Sequence, residues 1–265
     1  MTILQDILNE KRREVAQLNE HHFQSVETNK HVPKITDTFR NSQSMNIIAE
    51  MKRASPSKGI INATVDPVEQ AKQYEALGAN ALSVLTDKTF FKGSMADLVA
   101  VRKAVDLPIL CKDFIIDPIQ IDQAHAAGAT IILLIAAALS KKEFIELYQY
   151  ASSKGLEVLC EVHDKEEMNF VLDLNVPIIG INNRNLETFT VDLATTTKLA
   201  TLATKSEAII VSESGLKTRD DVQQVEKYGA HAILVGETLM RSHDLQQTIT
   251  ELRVPIHKER NIHAR

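Results

Sequence analysis

Residues 226–236 read Glu-Lys-Tyr-Gly-Ala-His-Ala-Ile-Leu-Val-Gly: the end of a polar, helix-like stretch, then Gly229-Ala230, then an apolar run. The same phrase stands at residues 75–85 (EALGANALSVL) and 125–135 (HAAGATIILLI). In each, a glycine stops a helix and a run of strand length follows at once. Working outward, apolar runs begin near Ile47, Ala81, Pro108, Thr130, Glu157, Ile178, Ala208 and Ala232. Their spacing averages roughly 26 residues, the length of one strand, one helix and two loops. Helix-like stretches fill the gaps. Residues 65–77 contain Asp66-Pro67 and stop at Gly78, and residues 119–127 follow Asp117-Pro118 and stop at Gly128. Residues 141–154 follow Ser140 and stop at Gly155, and residues 218–228 stop at Gly229. Polar or proline starts and glycine stops are ordinary helix punctuation. The runs are nearly continuous in apolar residues, as parallel strands covered by helices are. An open doubly wound sheet would share this alternation, but no Gly-x-Gly-x-x-Gly and no P-loop follows the first strand. Eight even repeats favour a closed α/β architecture, the (β/α)8 (TIM) barrel.

The chain has 265 residues, 44% of them hydrophobic and 25% charged, with a formal charge of −5. It has no tryptophan and no long basic run, so nucleic acid is disfavoured as a partner. Cys111 and Cys160 stand far apart, outside any zinc spacing, and fit a reducing compartment better than a disulfide framework. The first twenty residues carry Asp6, Glu10, Lys11, Arg12, Arg13 and Glu14, unlike a signal peptide, and the longest apolar run, 131–139, is too short to span a bilayer. A cytoplasmic protein with no membrane partner is expected. Ile3, Ile7, Val15 and Leu18 predict an amphipathic helix over residues 2–20, whereas residues 21–46 carry weak helix signals. Residues 1–46 are therefore expected to form a helical extension that packs on, or caps, the barrel. Residues 1–265 are expected to form one domain.

In a barrel, catalytic groups gather where the strands end. Ile47-Ile48-Ala49 leads into Glu50 and Lys52, which share a face, before Ser55-Pro56-Ser57-Lys58-Gly59 opens a loop. The later strand ends supply Thr86-Asp87, Lys112 with Phe114, apolar residues around Leu133, Glu161, Asn182-Asn183-Arg184, Glu213-Ser214-Gly215 and Gly236-Glu237. Charges at the ends of apolar strands are costly to bury unpaired, so their convergence points to a site; an ion-pair network at the rim is the structural alternative. Lys112 and Glu161, each beside apolar residues, could divide acid and base duties. Cys111 and Cys160 alternate away from them and read as packing residues between strands and helices. His163 is near Glu161, but with no serine or cysteine motif a catalytic triad is disfavoured. Gly215 and Gly236, the latter opening a short helical segment at 238–241, suggest backbone amides for a phosphate.

Several of these stretches resemble the indole-3-glycerol phosphate synthase family. They are Glu50-Met-Lys52-Arg-Ala-Ser55-Pro56-Ser57, Leu85-Thr86-Asp87 with Phe90-Phe91-Lys92-Gly93-Ser94, Cys111-Lys112-Asp113-Phe114, Glu161-Val-His163, residues 180–186, Ser212-Glu213-Ser214-Gly215 and Leu234-Val235-Gly236-Glu237. The resemblance runs the length of the chain, including the N-terminal extension. It implies a barrel enzyme of tryptophan biosynthesis that acts on a small phosphorylated substrate, with no metal or other cofactor, working as a monomer. Carried over, Lys112 is the general acid, Glu161 its acid/base partner, Lys52 a second catalytic lysine and Glu50 the group that orients it. Asn182, Arg184, Glu213 and Ser214 are implied to hold the substrate and its charge network, and Phe91, Phe114 and Leu133 its aromatic ring. Ser55, Gly215, Gly236 and Glu237 are implied to cradle the phosphate. Rival readings are another phosphate-binding barrel such as phosphoribosylanthranilate isomerase, a Schiff-base aldolase using Lys112, and a barrel that binds without catalysis.

Overall fold

The computed structural model describes residues 2–19, 23, 25–26 and 32–257. All eight apolar runs are strands: β1 (Asn46–Met51), β2 (Ala81–Leu85), β3 (Ile109–Lys112), β4 (Ile131–Ile135), β5 (Glu157–Val162), β6 (Ile178–Asn182), β7 (Ile209–Glu213) and β8 (Ala232–Val235). Each pairs in parallel with its neighbour in sequence, and β8 closes on β1 with Val235 opposite Ala49. The four helices delimited above are present as α3 (Pro67–Ala76), α5 (Pro118–Ala126), α6 (Lys141–Ser153) and α9 (Arg219–Lys227), preceded in chain order by α1 (Ile3–Val15) and α2 (Ile35–Phe39). The others are α4 (Met95–Ala104), α7 (Lys165–Asp173), α8 (Ala194–Ala200), α10 (Glu237–Met240) and α11 (Leu245–Leu252). The starts are capped as their residues predict: Asp66 accepts from the amides of Val68 and Glu69, and Asp117 and Ser140 form capping boxes.

Alternation along the strands explains both the core and the site. Ile48, Leu110, Leu133, Leu159, Ile178, Val211 and Leu234 fill the barrel interior. Their neighbours Ile47, Cys111, Ile132, Cys160, Ile179, Ile210 and Ile233 pack outward beneath the helices. Both cysteines are buried and free, in the packing role read from their alternation. Two residues further along the inward set stand Glu50, Lys112, Glu161, Glu213 and Gly236. One two-residue period therefore builds an apolar core and then a charged rim.

The N-terminal extension serves both ends of the barrel. Helix α1 is shorter than expected and lies over the C-terminal rim, where Ile3, Leu4 and Ile7 face the central cavity. Helix α2 plugs the opposite end: Ile35 and Phe39 are fully buried in the interior cluster. Lys34 at its N-cap makes no side-chain cap, and Glu157 of β5 takes over that duty. Its carboxylate accepts from Ile35 N at 2.8 Å, Thr36 N at 3.0 Å and Thr36 Oγ1 at 2.7 Å. Within the stretch 21–46, which carries weak helix signals, residues 21–22, 24 and 27–31 lie outside the described residues. Among the described residues no helix is long and apolar enough to cross a membrane.

Candidate active site

A cavity of about 940 Å³ opens at the C-terminal ends of the strands. Every residue given a site role from the sequence lines it: Glu50, Lys52, Ser55, Phe91, Lys112, Phe114, Leu133, Glu161, Asn182, Arg184, Glu213, Ser214, Gly215, Gly236 and Glu237.

Lys112 is the hub. Its Nζ lies 2.9 Å from Glu161 Oε2 and 2.8 Å from Glu213 Oε2. Glu50 Oε1 pairs with Lys52 Nζ at 2.7 Å, as their shared face predicts. Asn182 Nδ2 donates to Glu161 Oε1 at 3.1 Å. That amide has little choice of orientation, because its Oδ1 accepts from Ser214 Oγ at 2.9 Å and Arg184 N at 3.0 Å. Arg184 meets this network through its backbone; its guanidinium donates instead to Phe189 O at 3.2 Å. Two glycines at inward positions make the crowding feasible. A Cβ on Gly180 would sit 2.2 Å from Glu213 Oε1, and one on Gly236 would sit 2.5 Å from Glu50 Oε1. In the sequence Gly236 stands out only for its amide, and Gly180 for no role.

Burial opposes the charge on Lys112, but Glu161, Glu213 and Glu50 outweigh it and hold the ammonium above the usual lysine range. For Glu161, burial favours the neutral acid, yet Lys112 and His163 prevail and keep it well below the usual carboxylate range. Glu213 goes the other way. Burial, with Glu161 and Glu50 nearby, outweighs Lys112 and pushes it up to about 7. Its Oε1 is buried and has no hydrogen-bond partner among the described residues. The site thus holds a protonated amine, a fixed carboxylate and a carboxyl group poised to exchange a proton near neutrality.

The cavity is apolar on one side. Phe91 and Phe114 lie with ring centroids 6.1 Å apart beside Leu133, and Ile3, Leu4 and Ile7 of α1 extend the wall. Helix α1 is fastened there by Lys11, only 3% exposed, whose Nζ lies 2.7 Å from Asp113 Oδ1 and 3.2 Å from Asp87 Oδ2. The sequence implies an amphipathic helix that packs on, or caps, the barrel, as α1 does, but not its fastening through Lys11. The opposite side carries polar groups beside Val191 and Leu193. Ser55 sits in a small hairpin that pairs it with Gly59, Gly215 adopts φ +84°, and Gly236 and Glu237 open α10. Lys58, Lys217 and Arg241 also line this side, again unforeseen. The Glu237 carboxylate is held by Arg241 Nε at 3.2 Å and lies 3.9 Å from Lys58 Nζ.

The closed barrel and its charged strand ends define an α/β-barrel enzyme whose site joins acid–base groups to an apolar wall. Comparison with known proteins narrows this class. A family model described as indole-3-glycerol phosphate synthase matches residues 4–252, and the chain belongs to that family. Indole-3-glycerol phosphate synthase of Oceanobacillus iheyensis is 53% identical over 256 residues, covering 97% of this chain and 98% of that protein. The enzyme of the same name from Bacillus cereus is 48% identical over 255 residues, covering 96% and 99%. Among solved structures, a 3-hexulose-6-phosphate synthase shares the fold, with a TM-score of 0.62 at 17% identity over 78% of this chain and 98% of that one.

Proposed function

We propose that this chain converts 1-(2-carboxyphenylamino)-1-deoxy-D-ribulose 5-phosphate into indole-3-glycerol phosphate, CO2 and water, as a carboxy-lyase of tryptophan biosynthesis. The observation that carries the reading is Lys112, largely withdrawn from solvent with its Nζ between two buried carboxylates, with an apolar wall on one side and polar loops on the other. In the first step the ring carbon bearing the carboxylate attacks the ketose carbonyl. Lys112 gives its proton to the carbonyl oxygen as the carbon–carbon bond forms. Loss of CO2 returns its bonding electrons to the ring. In the second step the new hydroxyl leaves as water, with one proton supplied to it and another removed from the neighbouring carbon. Glu161 serves that exchange, and Lys52, oriented by Glu50, assists it.

Binding follows the polarity of the cavity. Phe91, Phe114 and Leu133 hold the aromatic ring, while Asn182, Glu213 and Ser214 take the sugar hydroxyls, with Arg184 at the edge of their network. Ser55 and the amides of Gly215, Gly236 and Glu237 take the phosphate, with the carboxylate of Glu237 engaged elsewhere. No step requires a metal or a redox carrier. The test is product fluorescence when purified protein meets the carboxyphenylamino-deoxyribulose phosphate with EDTA present and no cofactor added. A rising signal is expected. A flat signal from folded protein would overturn the reading in favour of an isomerase or a binding-only barrel, and a lysine adduct trapped by borohydride would replace it with Schiff-base chemistry.

A further inference from the structure

Glu161 and Glu213 face the same ammonium group, yet they are not equivalent. Lys112 Nζ is 2.9 Å from one and 2.8 Å from the other, so distance to the lysine does not decide which carboxyl keeps a proton. The surroundings do. The free oxygen of Glu213 points toward Gly180 and has no hydrogen-bond partner among the described residues. The corresponding oxygen of Glu161 meets Asn182 Nδ2 at 3.1 Å and His163 Nε2 at 3.2 Å.

His163 follows β5 on the same side as Glu161. The turn after it is fixed by Asp164, whose Oδ1 accepts from Glu167 N at 2.9 Å as α7 begins. That brings Glu167 back over the histidine: its Oε2 accepts from His163 N at 2.7 Å and lies 3.3 Å from the ring Nδ1. Each ring nitrogen therefore faces a carboxylate oxygen. A neutral imidazole would turn a lone pair toward one of these two carboxylates, and the positive charge of the imidazolium removes that repulsion. The Nε2 contact also misses hydrogen-bond alignment, so its main contribution is charge.

We propose that His163 is a positioning residue for the reaction proposed above, an imidazolium clamped between Glu161 and Glu167 that keeps Glu161 ionised in the resting site, ready to act as the base, and leaves the proton held at rest to Glu213. The charged groups facing it are Glu161 from β5 and Glu167 from α7, with the neutral Asn182 of β6 sharing the same oxygen of Glu161. Burial would lower the imidazolium pKa, and the two carboxylates more than reverse this, to about 10. The clamp rests on the proposed reaction for its purpose but not for its existence, which separates the two in test.

Nitrogen NMR of histidine-labelled protein reads the ring directly. His163 is expected to stay doubly protonated past pH 8, and Glu167→Gln is expected to lower its titration point. Turnover profiles read the consequence. His163→Gln, which retains polarity without charge, is expected to lower kcat about tenfold with little change in KM. It is also expected to move the acid limb upward by about one pH unit. His163→Lys is expected to restore part of both. Circular dichroism melts of each variant separate these effects from misfolding, and Glu167→Gln supplies the same acid-limb shift in milder form if His163→Gln does not fold. A ring titrating near its ordinary value, about 6.5, in an active enzyme would overturn the clamp alone. An unchanged acid limb in folded His163→Gln would do the same. A doubly protonated ring in a folded protein that gives no product would leave the clamp and overturn the reaction.

Discussion

Glu157 and Glu161 lie on one face of one strand, at opposite ends of the barrel, and both are buried. Among the described residues Glu157 meets neutral donors, two amides and a hydroxyl of α2. Glu161 meets an ammonium, an imidazole and an amide, and it shares the ammonium with a second carboxylate. At the first end the oxygens find partners in the helix they cap. At the second, Glu161 and Glu213 share the Lys112 ammonium, and one oxygen of Glu213 has no hydrogen-bond partner among the described residues. A matched buried group holds a structure together, whereas a contested one can change its proton without dismantling the fold. One strand thus carries a glutamate that caps a helix and another that joins the ion network of the cavity, separated by the apolar side chain of Leu159.

If the two ends divide the labour in this way, the largest effect lies at the contested end. Lys112→Ala removes the shared cation and the proposed proton donor together. Turnover is expected to fall about a thousandfold or more, with product affinity changed less than about tenfold. Initial rates and a product titration would show it. Near wild-type turnover in that variant would break the comparison, because the contested carboxylates would then surround an inert ion pair.

The next effect sharpens the contrast from the other end. Glu157→Gln turns an acceptor into an N–H group facing the start of α2. It is expected to cost about 2 kcal/mol, seen as a melting temperature lower by roughly 4–8 °C. Turnover is expected to stay within about twofold, since the change lies at the far end of the barrel. Loss of turnover with unchanged melting would reverse the assignment of the two ends.

These two ends were unequally legible in the sequence. The charged rim could be read because strand alternation carries the inward face past its last apolar residue to Glu50, Lys112, Glu161 and Glu213. Helix starts and stops could be read because Asp66-Pro67, Ser140, Gly78 and Gly155 act locally. The plug could not: α2 has five residues, and the carboxylate that caps Ile35 is 122 positions away. Lys11 was equally hidden. In sequence it resembles Arg12 and Arg13, and only the docking of α1 on Asp87 and Asp113 sets it apart. Gly180 and Gly236 make room for carboxylates from neighbouring strands, which is a property of the closed barrel rather than of any segment. His163 was visible, on the correct face and beside the correct glutamate. It was weighed only as a triad member, because Glu167 belongs to the turn that follows and its return to the ring depends on how α7 begins.

The smallest effect tests whether the contested end is held at a cost in stability. Glu213 is pushed up to about 7 in the folded chain by burial, Glu161 and Glu50, against about 4.3 for an unperturbed glutamate. Between those values the folded protein binds a proton that the unfolded chain has released. Stability therefore falls as pH rises through this window and levels off above it. Glutamine cannot titrate, so Glu213→Gln removes that fall while leaving Lys112 paired with Glu161. Relative to wild type, the variant is expected to gain several degrees in melting temperature between pH 5 and pH 8, even as its turnover drops. Melts of both proteins across that range would measure the difference. A constant gap from pH 5 to pH 8 would show that Glu213 does not carry the exchangeable proton, and the comparison would then have to be redrawn with both carboxylates at the rim ionised together.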